Sequence, residues 1–128
     1  MAHIKDFNLI TQTDLHKLEE AGIHTCSQLL EKASTSIERM NLADRLNMDD
    51  PDLRELAHRC DIMRIPGMTP KLANLLCTIG VSTVPKFAYQ SASNLLGKIV
   101  DKGGPTVDRQ LLERLIASAK RLPKIIRH

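Results

Sequence analysis

One stretch decides the fold of this chain: Ile65-Pro66-Gly67-Met68-Thr69-Pro70-Lys71-Leu72-Ala73. Pro66 and Gly67 predict a tight turn, because proline presets its backbone angle and glycine accepts conformations closed to other residues. Thr69 suits the N-cap of a second helix, and Pro70 suits its first position. The apolar residues that follow recur at helical spacing as far as Gly80, a natural helix stop. The stretch therefore predicts two helices joined by a hairpin turn.

Several of these residues coincide with the helix-hairpin-helix motif, whose core runs Leu-Pro-Gly-hydrophobic-Gly-Pro-Lys-x-Ala. The matching positions are Pro66, Gly67, Pro70, Lys71 and Ala73, with Ile65 and Met68 at the hydrophobic positions. The chain resembles that family but departs from it at Thr69, where the motif usually has a second glycine. The resemblance implies non-sequence-specific binding of a nucleic-acid backbone. It also implies a monovalent cation held by hairpin carbonyls, here those of Ile65 and Gly67; no other cofactor is expected.

The hairpin has an electrostatic reason to bind phosphate. Amides at a helix N-terminus lack an intrahelical acceptor and carry partial positive charge. The Thr69 hydroxyl could bind a phosphate, or its methyl group could block one, but the cap preference favours an N-cap role. The hairpin could equally serve only to pack two helices. The candidate nucleic-acid-binding residues at the hairpin are Arg64, Gly67, Met68, Thr69 and Lys71.

Charge is divided unevenly along the chain. Residues 1–64 carry 8 Lys or Arg and 12 Asp or Glu, a net charge of −4, whereas residues 65–128 carry 10 and 3, a net charge of +7. A basic half favours phosphate partners, while opposite halves could also attract each other between molecules. The tail adds four candidate nucleic-acid-binding residues: Lys120, Arg121, Lys124 and Arg127. They could bind phosphates by counterion release, or the first two could simply complement the end of the last helix.

The chain also contains an internal repeat. A shift of 58 residues places Gly22 on Gly80 and Thr11 on Thr69, and neighbouring apolar residues coincide as well. The first copy lacks the hairpin glycine, as expected if that copy is mostly structural. The predicted units are a degenerate first unit at 1–60, an intact second unit at 61–102, and a C-terminal helix with a basic tail at 103–128. Each copy is too small for a sound core of its own, so we expect one cooperative domain.

The repeated span resembles an uncharacterised family of paired helix-hairpin-helix domains, whose own function is open. The shared features are Ala21-Gly22-Ile23-x-Thr25, Leu29-Leu30, Thr35 with Arg39, Leu42-Ala43, Asp61-Ile62-Met63-Arg64-Ile65 and Gly80-Val81-x-Thr83. The resemblance implies an all-α fold in which paired helix-hairpin-helix units form one compact helical domain.

Helix boundaries follow from caps and apolar periodicity. Capping boxes are predicted at Thr25 with Gln28 and at Thr35 with Glu38. The helix after Thr35 is expected to bury Met40. The other predicted helix starts are Thr11 or Thr13, Asp50, Asp61, Thr83, Ser93 and Thr106. No stretch alternates convincingly with a two-residue period, which again indicates an all-α fold.

The composition disfavours several classes of protein. With one Tyr, two Phe and no Trp, the chain suits neither a β-sandwich nor a platform for base stacking. No apolar run is long enough to span a membrane, and the N-terminus lacks a signal-peptide pattern. Cys26, Cys60 and Cys77 are scattered, which indicates small core residues in a reducing, cytoplasmic compartment.

Metal and catalytic sites are not expected. His24 with Cys26 and His58 with Cys60 are spaced too closely for a usual zinc site, and the simpler expectation is a buried cysteine beside an exposed histidine. Asp108 follows a Gly-Gly-Pro break, as the catalytic aspartate does in some base-excision glycosylases, but it lies too far from the hairpin for that pattern. We therefore expect a protein that binds and is not an enzyme, with no small-molecule substrate and no membrane partner.

Two functions remain open. The leading one is non-sequence-specific binding of nucleic acid, with DNA expected first, through the second hairpin and the basic C-terminal half. The alternative is a protein-interaction or self-assembly module with no nucleic-acid role, which uses a hydrophobic helix face or contacts between the acidic half of one copy and the basic half of another. Its apolar contact is predicted in the tail, at Leu122, Ile125 and Ile126, although these residues could instead dock onto the domain itself.

Overall fold

The computed structural model describes residues 2–126, and their regular structure is helical. A short 3-10 helix, Ile4–Phe7, comes first. Eight α-helices follow it: α1 Gln12–Glu20, α2 Cys26–Ala33, α3 Ser36–Leu46, α4 Asp50–Ile62, α5 Pro70–Thr78, α6 Val84–Ala88, α7 Ala92–Asp101 and α8 Arg109–Ala119. The all-α prediction is confirmed, since the described residues form an isolated bridge between His3 and Thr25 but no strand. None of these helices is long and apolar enough to cross a membrane.

The two halves share their local geometry at the shift of 58 residues. Thr11 caps α1 and Thr69 caps α5, each by accepting a hydrogen bond from the amide three residues on. Gly22 and Gly80 follow these helices with φ angles of 81° and 93°, in the left-handed region that favours glycine. The threonine caps of α2 and α6 correspond in the same way. The sequence repeat is therefore also a repeat of turns and caps.

One hydrophobic core spans both halves, with α4 at its centre. This helix packs against α2, α3, α5 and α6 and against the 3-10 helix. Its fully buried apolar side chains are Leu53, Leu56, Ala57, Cys60 and Ile62. All three cysteines are buried, as predicted, and burial raises the pKa of the Cys77 thiol to about 12. Protonated thiols of this kind act as small apolar groups.

A polar network also joins the halves. Arg59 of α4 donates from Nε to Asn74 Oδ1 of α5 at 2.8 Å. The Asn74 side-chain amide donates in turn to the Phe7 carbonyl at 3.0 Å. Arg59 also forms an ion pair with Glu55 at 2.9 Å. Because buried polar groups are costly to leave without partners, this network fixes α5 against the N-terminal segment.

The end of α4 and the capping box of α3 differ from their predictions. Helix α4 begins at Asp50, as predicted, with Asp49 as its N-cap, but it continues past Asp61, which therefore does not begin a separate short helix. The apolar spacing runs on without a break, so packing extends the helix. Thr35 caps α3 as predicted, but Glu38 accepts from the Thr35 hydroxyl at 2.9 Å, so no full capping box forms.

The last two helices also begin at other residues than predicted. The cap of α7 is Ser91 and not Ser93, and the cap of α8 is Asp108 and not Thr106. Asp108 accepts from the Leu111 amide at 2.6 Å. A carboxylate is the better cap here, because its charge also complements the positive end of the helix dipole.

Helix α3 buries a charged residue where an apolar one was predicted. Met40 is 56% exposed, whereas Arg39 is 3% exposed. The Arg39 guanidinium donates to the carbonyls of Ala33 and Ser34, both at 3.1 Å. These carbonyls lie at the C-terminal end of α2, where backbone carbonyls lack intrahelical donors. Arg39 therefore supplies the hydrogen bonds that the end of α2 needs.

The C-terminal tail packs on its own domain. Ile126 is 2% exposed, and Leu122 and Ile125 are partly buried against the same core. Docking onto the domain is therefore the alternative that the structure confirms. The apolar surface predicted for a partner at these three residues is therefore smaller than expected, because Ile126 is buried and Leu122 and Ile125 are only partly exposed.

His58 is a buried imidazole, contrary to the expectation of an exposed histidine. It is 8% exposed, and its Nε2 atom has no hydrogen-bond partner in the described part of the chain. Burial lowers the pKa of His58 from 6.5 to about 4, against the opposing effect of the Glu55 carboxylate. The nearby cations of Arg39, Lys86 and Arg54 lower this pKa further.

We expect His58 to make the fold sensitive to acid. Between pH 6.5 and about pH 4 the unfolded chain binds a proton at this residue and the folded chain does not, so the free energy of unfolding falls as the pH falls. The loss amounts to roughly 3 kcal/mol at most. Urea unfolding across this window measures it. His58→Gln should lose less stability on acidification than wild type, while His16→Gln, at an exposed histidine, should follow wild type. Parallel pH profiles for His58→Gln and wild type would refute this expectation.

Candidate nucleic-acid interface

A turn at the surface joins α4 to α5 at the residues predicted to form the hairpin. A hydrogen bond from the Met68 amide to the Ile65 carbonyl closes the turn at 3.1 Å. Gly67 is exposed and has a φ angle of 90°, which favours glycine. A Cβ atom at Gly67 would lie 3.3 Å from Leu115 Cδ2 of α8. The glycine therefore permits both the turn and the close approach of the hairpin to the last helix.

The N-terminus of α5 lies at the surface beside a lysine, since Thr69 and Lys71 are both exposed. The Thr69 hydroxyl accepts from the Leu72 amide at 3.2 Å, which confirms the N-cap role. Pro70 occupies the first helical position, and the first turn of α5 contains no acidic residue. Lys71 is exposed. The positive end of the α5 dipole thus lies beside an exposed ammonium group. No carboxylate in the first turn of α5 neutralises this positive charge. We call Gly67, Thr69 and Lys71 the hairpin surface.

Two other predicted hairpin residues are engaged in the fold. Met68 is 7% exposed, so its side chain belongs to the core and any contact with a ligand would come from its backbone. Arg64 is held by Asp61: its Nε atom donates to Asp61 Oδ1 at 2.9 Å. Its Nη2 atom lies 2.8 Å from the same oxygen, as an ion-pair contact without hydrogen-bond alignment. Arg64 would have to leave this pair to reach a phosphate.

Asp61 connects the hairpin to the helix that follows α5. Its carboxylate is fully buried, and Oδ2 accepts from the Val84 amide at the start of α6 at 2.8 Å. Burial raises the pKa of Asp61, although the Val84 amide and the Arg64 guanidinium both act to lower it. The spacing to Arg64 was a signal in the sequence for an ion pair. The bond to Val84 spans two helices, and no local pattern predicts it.

The cations of the C-terminal tail line two recesses beside α8. Lys120 and Arg121 line an open recess of about 480 Å³ between α8 and the start of α7. Lys120 and Lys124 line an adjoining recess of about 520 Å³ between α6 and the tail. No hairpin residue lines either recess. The tail cations thus line recesses to which the hairpin residues do not contribute, and Arg127 lies outside the described residues.

The carbonyls suggested for a monovalent cation are those of Ile65 and Gly67. The Ile65 carbonyl already accepts the Met68 amide at 3.1 Å, which leaves one of its lone pairs for another partner. Across residues 2–126, no three His, Cys, Asp or Glu side chains gather where they could hold a metal ion. A cation at the hairpin thus stays an expectation from the motif resemblance.

The whole helical array corresponds to one described family. The chain belongs to the family "Domain of unknown function (DUF4332)", whose model matches residues 8–122. The match covers both halves, the hairpin and α8, so membership of an uncharacterised family is confirmed, while the helix-hairpin-helix relationship stays a prediction. No curated protein and no solved structure matches the chain.

Proposed function

We propose that the protein binds nucleic-acid backbones without sequence specificity, through the hairpin surface. The observation that carries the proposal is the exposed start of α5. There, Gly67 turns the chain at a φ angle of 90° and Lys71 projects from a helical turn that contains no acid. Backbone amides at such a helix start, together with an ammonium group, suit a phosphate diester.

The chemistry of this surface supports backbone binding over base recognition. Base-specific readout needs side chains that reach base edges in a groove, such as bidentate Arg, Asn or Gln. The hairpin surface instead offers a glycine, a threonine whose hydroxyl is occupied by the Leu72 amide, and a flexible lysine. These groups contact phosphates regardless of sequence, so we expect duplex DNA of any sequence to bind.

The surrounding charge favours the same partner. Residues 65–128 carry a net charge of +7, which attracts a polyanion from a distance. Arg64 adds little at close range, because Asp61 pairs with it. Lys71 is then the exposed side-chain cation of the hairpin surface, and its removal should have a measurable effect.

We expect Lys71→Ala to weaken binding to nucleic acid while the fold is retained. One phosphate contact fewer should reduce the slope of log affinity against log salt by about 0.9 for duplex DNA and by about 0.7 for a single strand. Fluorescence anisotropy with labelled single- and double-stranded DNA and RNA, over a series of salt concentrations, measures both quantities. Lys32→Ala is the matched control, because Lys32 is also an exposed helical lysine but lies in the acidic half.

The control should keep the wild-type slope. If Lys71→Ala and wild type give coincident curves at every salt concentration, the hairpin surface is not the phosphate site. If wild type binds none of the four nucleic acids at low salt, the proposed function itself is wrong.

A further inference from the structure

The two recesses beside α8 adjoin each other, since Gln90 and Lys120 line both of them. We call the two recesses together the α8 groove. Apolar side chains contribute to its lining, among them Ala88, Ile116 and Leu122. Its cationic residues include Lys120, Arg121 and Lys124, while its acid Glu113 is paired with Arg109 at 3.0 Å. The lining of the groove thus combines apolar side chains with an excess of cationic over acidic ones.

A complementary surface lies on the acidic half of the chain, on the outward side of α3. Ile37 and Met40 are 72% and 56% exposed, although they are large apolar residues. Asn41 and Asp44 continue the same stripe at helical spacing, and both are exposed. We call these four residues the α3 face. Asp44 lines a shallow recess together with Met40 and Asp50, so the apolar pair is bordered by acid.

We propose that the α3 face of one copy docks into the α8 groove of a second copy. Charge complementarity selects this occupant: the face belongs to the half with a net charge of −4 and the groove to the half with +7. Residues three apart on a helix lie side by side, so Ile37 and Met40 form one apolar contact surface that can enter the groove. Tyr89, which lines the groove and is 89% exposed, supplies further apolar contact area.

The interface joins two different surfaces, so it does not close by itself. Head-to-tail contacts of this kind build open chains of copies unless a rotation closes a ring. Exposed ion pairs contribute little each, and the apolar pair must supply much of the affinity. The charged edges are screened as the Debye length falls from about 10 Å at 0.1 M salt to about 3 Å at 1 M. Assembly should therefore weaken with salt.

The test uses two variants of the full chain, each with one surface disrupted. Ile37→Lys with Met40→Lys removes the apolar pair and places positive charge opposite the groove. Lys120→Glu with Lys124→Glu reverses the groove edge and leaves the α3 face intact. All four side chains are exposed, so the fold should be unaffected, and circular dichroism verifies this. Light scattering at roughly 100 μM protein detects even an interface of modest affinity.

Wild type should show a mass above one chain at low salt that falls toward one chain at 1 M salt. Each variant alone should have the mass of one chain. An equimolar mixture of the two should form a species of two chains and nothing larger, because only one intact face and one intact groove remain to pair. Val100→Lys, at another exposed apolar residue outside both surfaces, should assemble as wild type does.

Three results would overturn the proposal: a wild-type mass of one chain at low salt, variants that assemble as wild type does, or a mixture that stays at one chain. Binding to nucleic acid is a separate measurement. The α3 variant keeps the hairpin surface, so it should still bind DNA as a single chain if the proposed function is correct. A failure of assembly is thus distinguishable from a failure of nucleic-acid binding.

Discussion

Replacing Asp61 with alanine is expected to lower the free energy of unfolding by about 3–5 kcal/mol. The carboxylate is fully buried and bonds two groups at once, the Val84 amide at 2.8 Å and the Arg64 guanidinium at 2.9 Å. Its removal leaves a largely buried cation without its counter-charge and a buried amide without its acceptor. Burying an ion pair stabilises a fold little in net terms, but breaking one by removing a single partner is costly.

Chemical denaturation of three variants separates these causes. Asp61→Asn keeps an oxygen that can accept from the Val84 amide but removes the charge. We therefore expect its free energy of unfolding to lie between that of wild type and that of Asp61→Ala. Asp101→Ala removes an exposed carboxylate from the end of α7 and should change stability by less than about 0.5 kcal/mol. A loss below about 1 kcal/mol for Asp61→Ala would show that Asp61 does not hold the hairpin to α6.

Dividing the chain between residues 60 and 61 is expected to abolish cooperative folding of both parts. The cut falls inside α4, which packs against helices of both halves. It also separates Arg59 and Phe7 from Asn74, and so removes the hydrogen bonds that join the halves. Neither part retains enough buried apolar surface to offset its conformational entropy.

Thermal melts of residues 1–60 and of residues 61–128, followed by circular dichroism, test this expectation. Each fragment should show low helix content and no sharp transition, and the intact chain should melt in one step. Mixing the fragments should recover helix content if the core reassembles across the cut. A sharp melt of either fragment on its own would show that the repeat units are independent domains.

Much of the fold could be predicted from the sequence, because its determinants are local. The cap at Thr69 and the positive φ angles of Gly22 and Gly80 depend on residues close together along the chain, and the repeat could be predicted because the same local signals recur after 58 residues. The helix start at Asp108 was missed because two capping residues lie near each other there, and the choice between them depends on packing as well as on cap preference.

The rest could not be predicted, because it depends on contacts between distant residues. Nothing near Asp61 in the sequence indicates its bond to Val84, and nothing near Met40 shows that Arg39 takes the buried position. The sequence alone assigns the tail cations and the hairpin residues to one nucleic-acid-binding site, because both lie in the basic half. Only the packing of α8 against α6 and α7 places Lys120 and Lys124 in a groove of their own.

A titration followed by nuclear magnetic resonance shows whether the hairpin surface contacts phosphates. Isotope-labelled protein is titrated with a short DNA duplex at roughly 50 mM salt, where phosphate contacts persist. We expect the largest amide shifts at Gly67, Thr69 and Lys71, and we expect these shifts to be lost when the salt concentration is raised. Shifts confined to the α8 groove at Lys120 and Lys124, with the hairpin amides unmoved, would contradict this expectation.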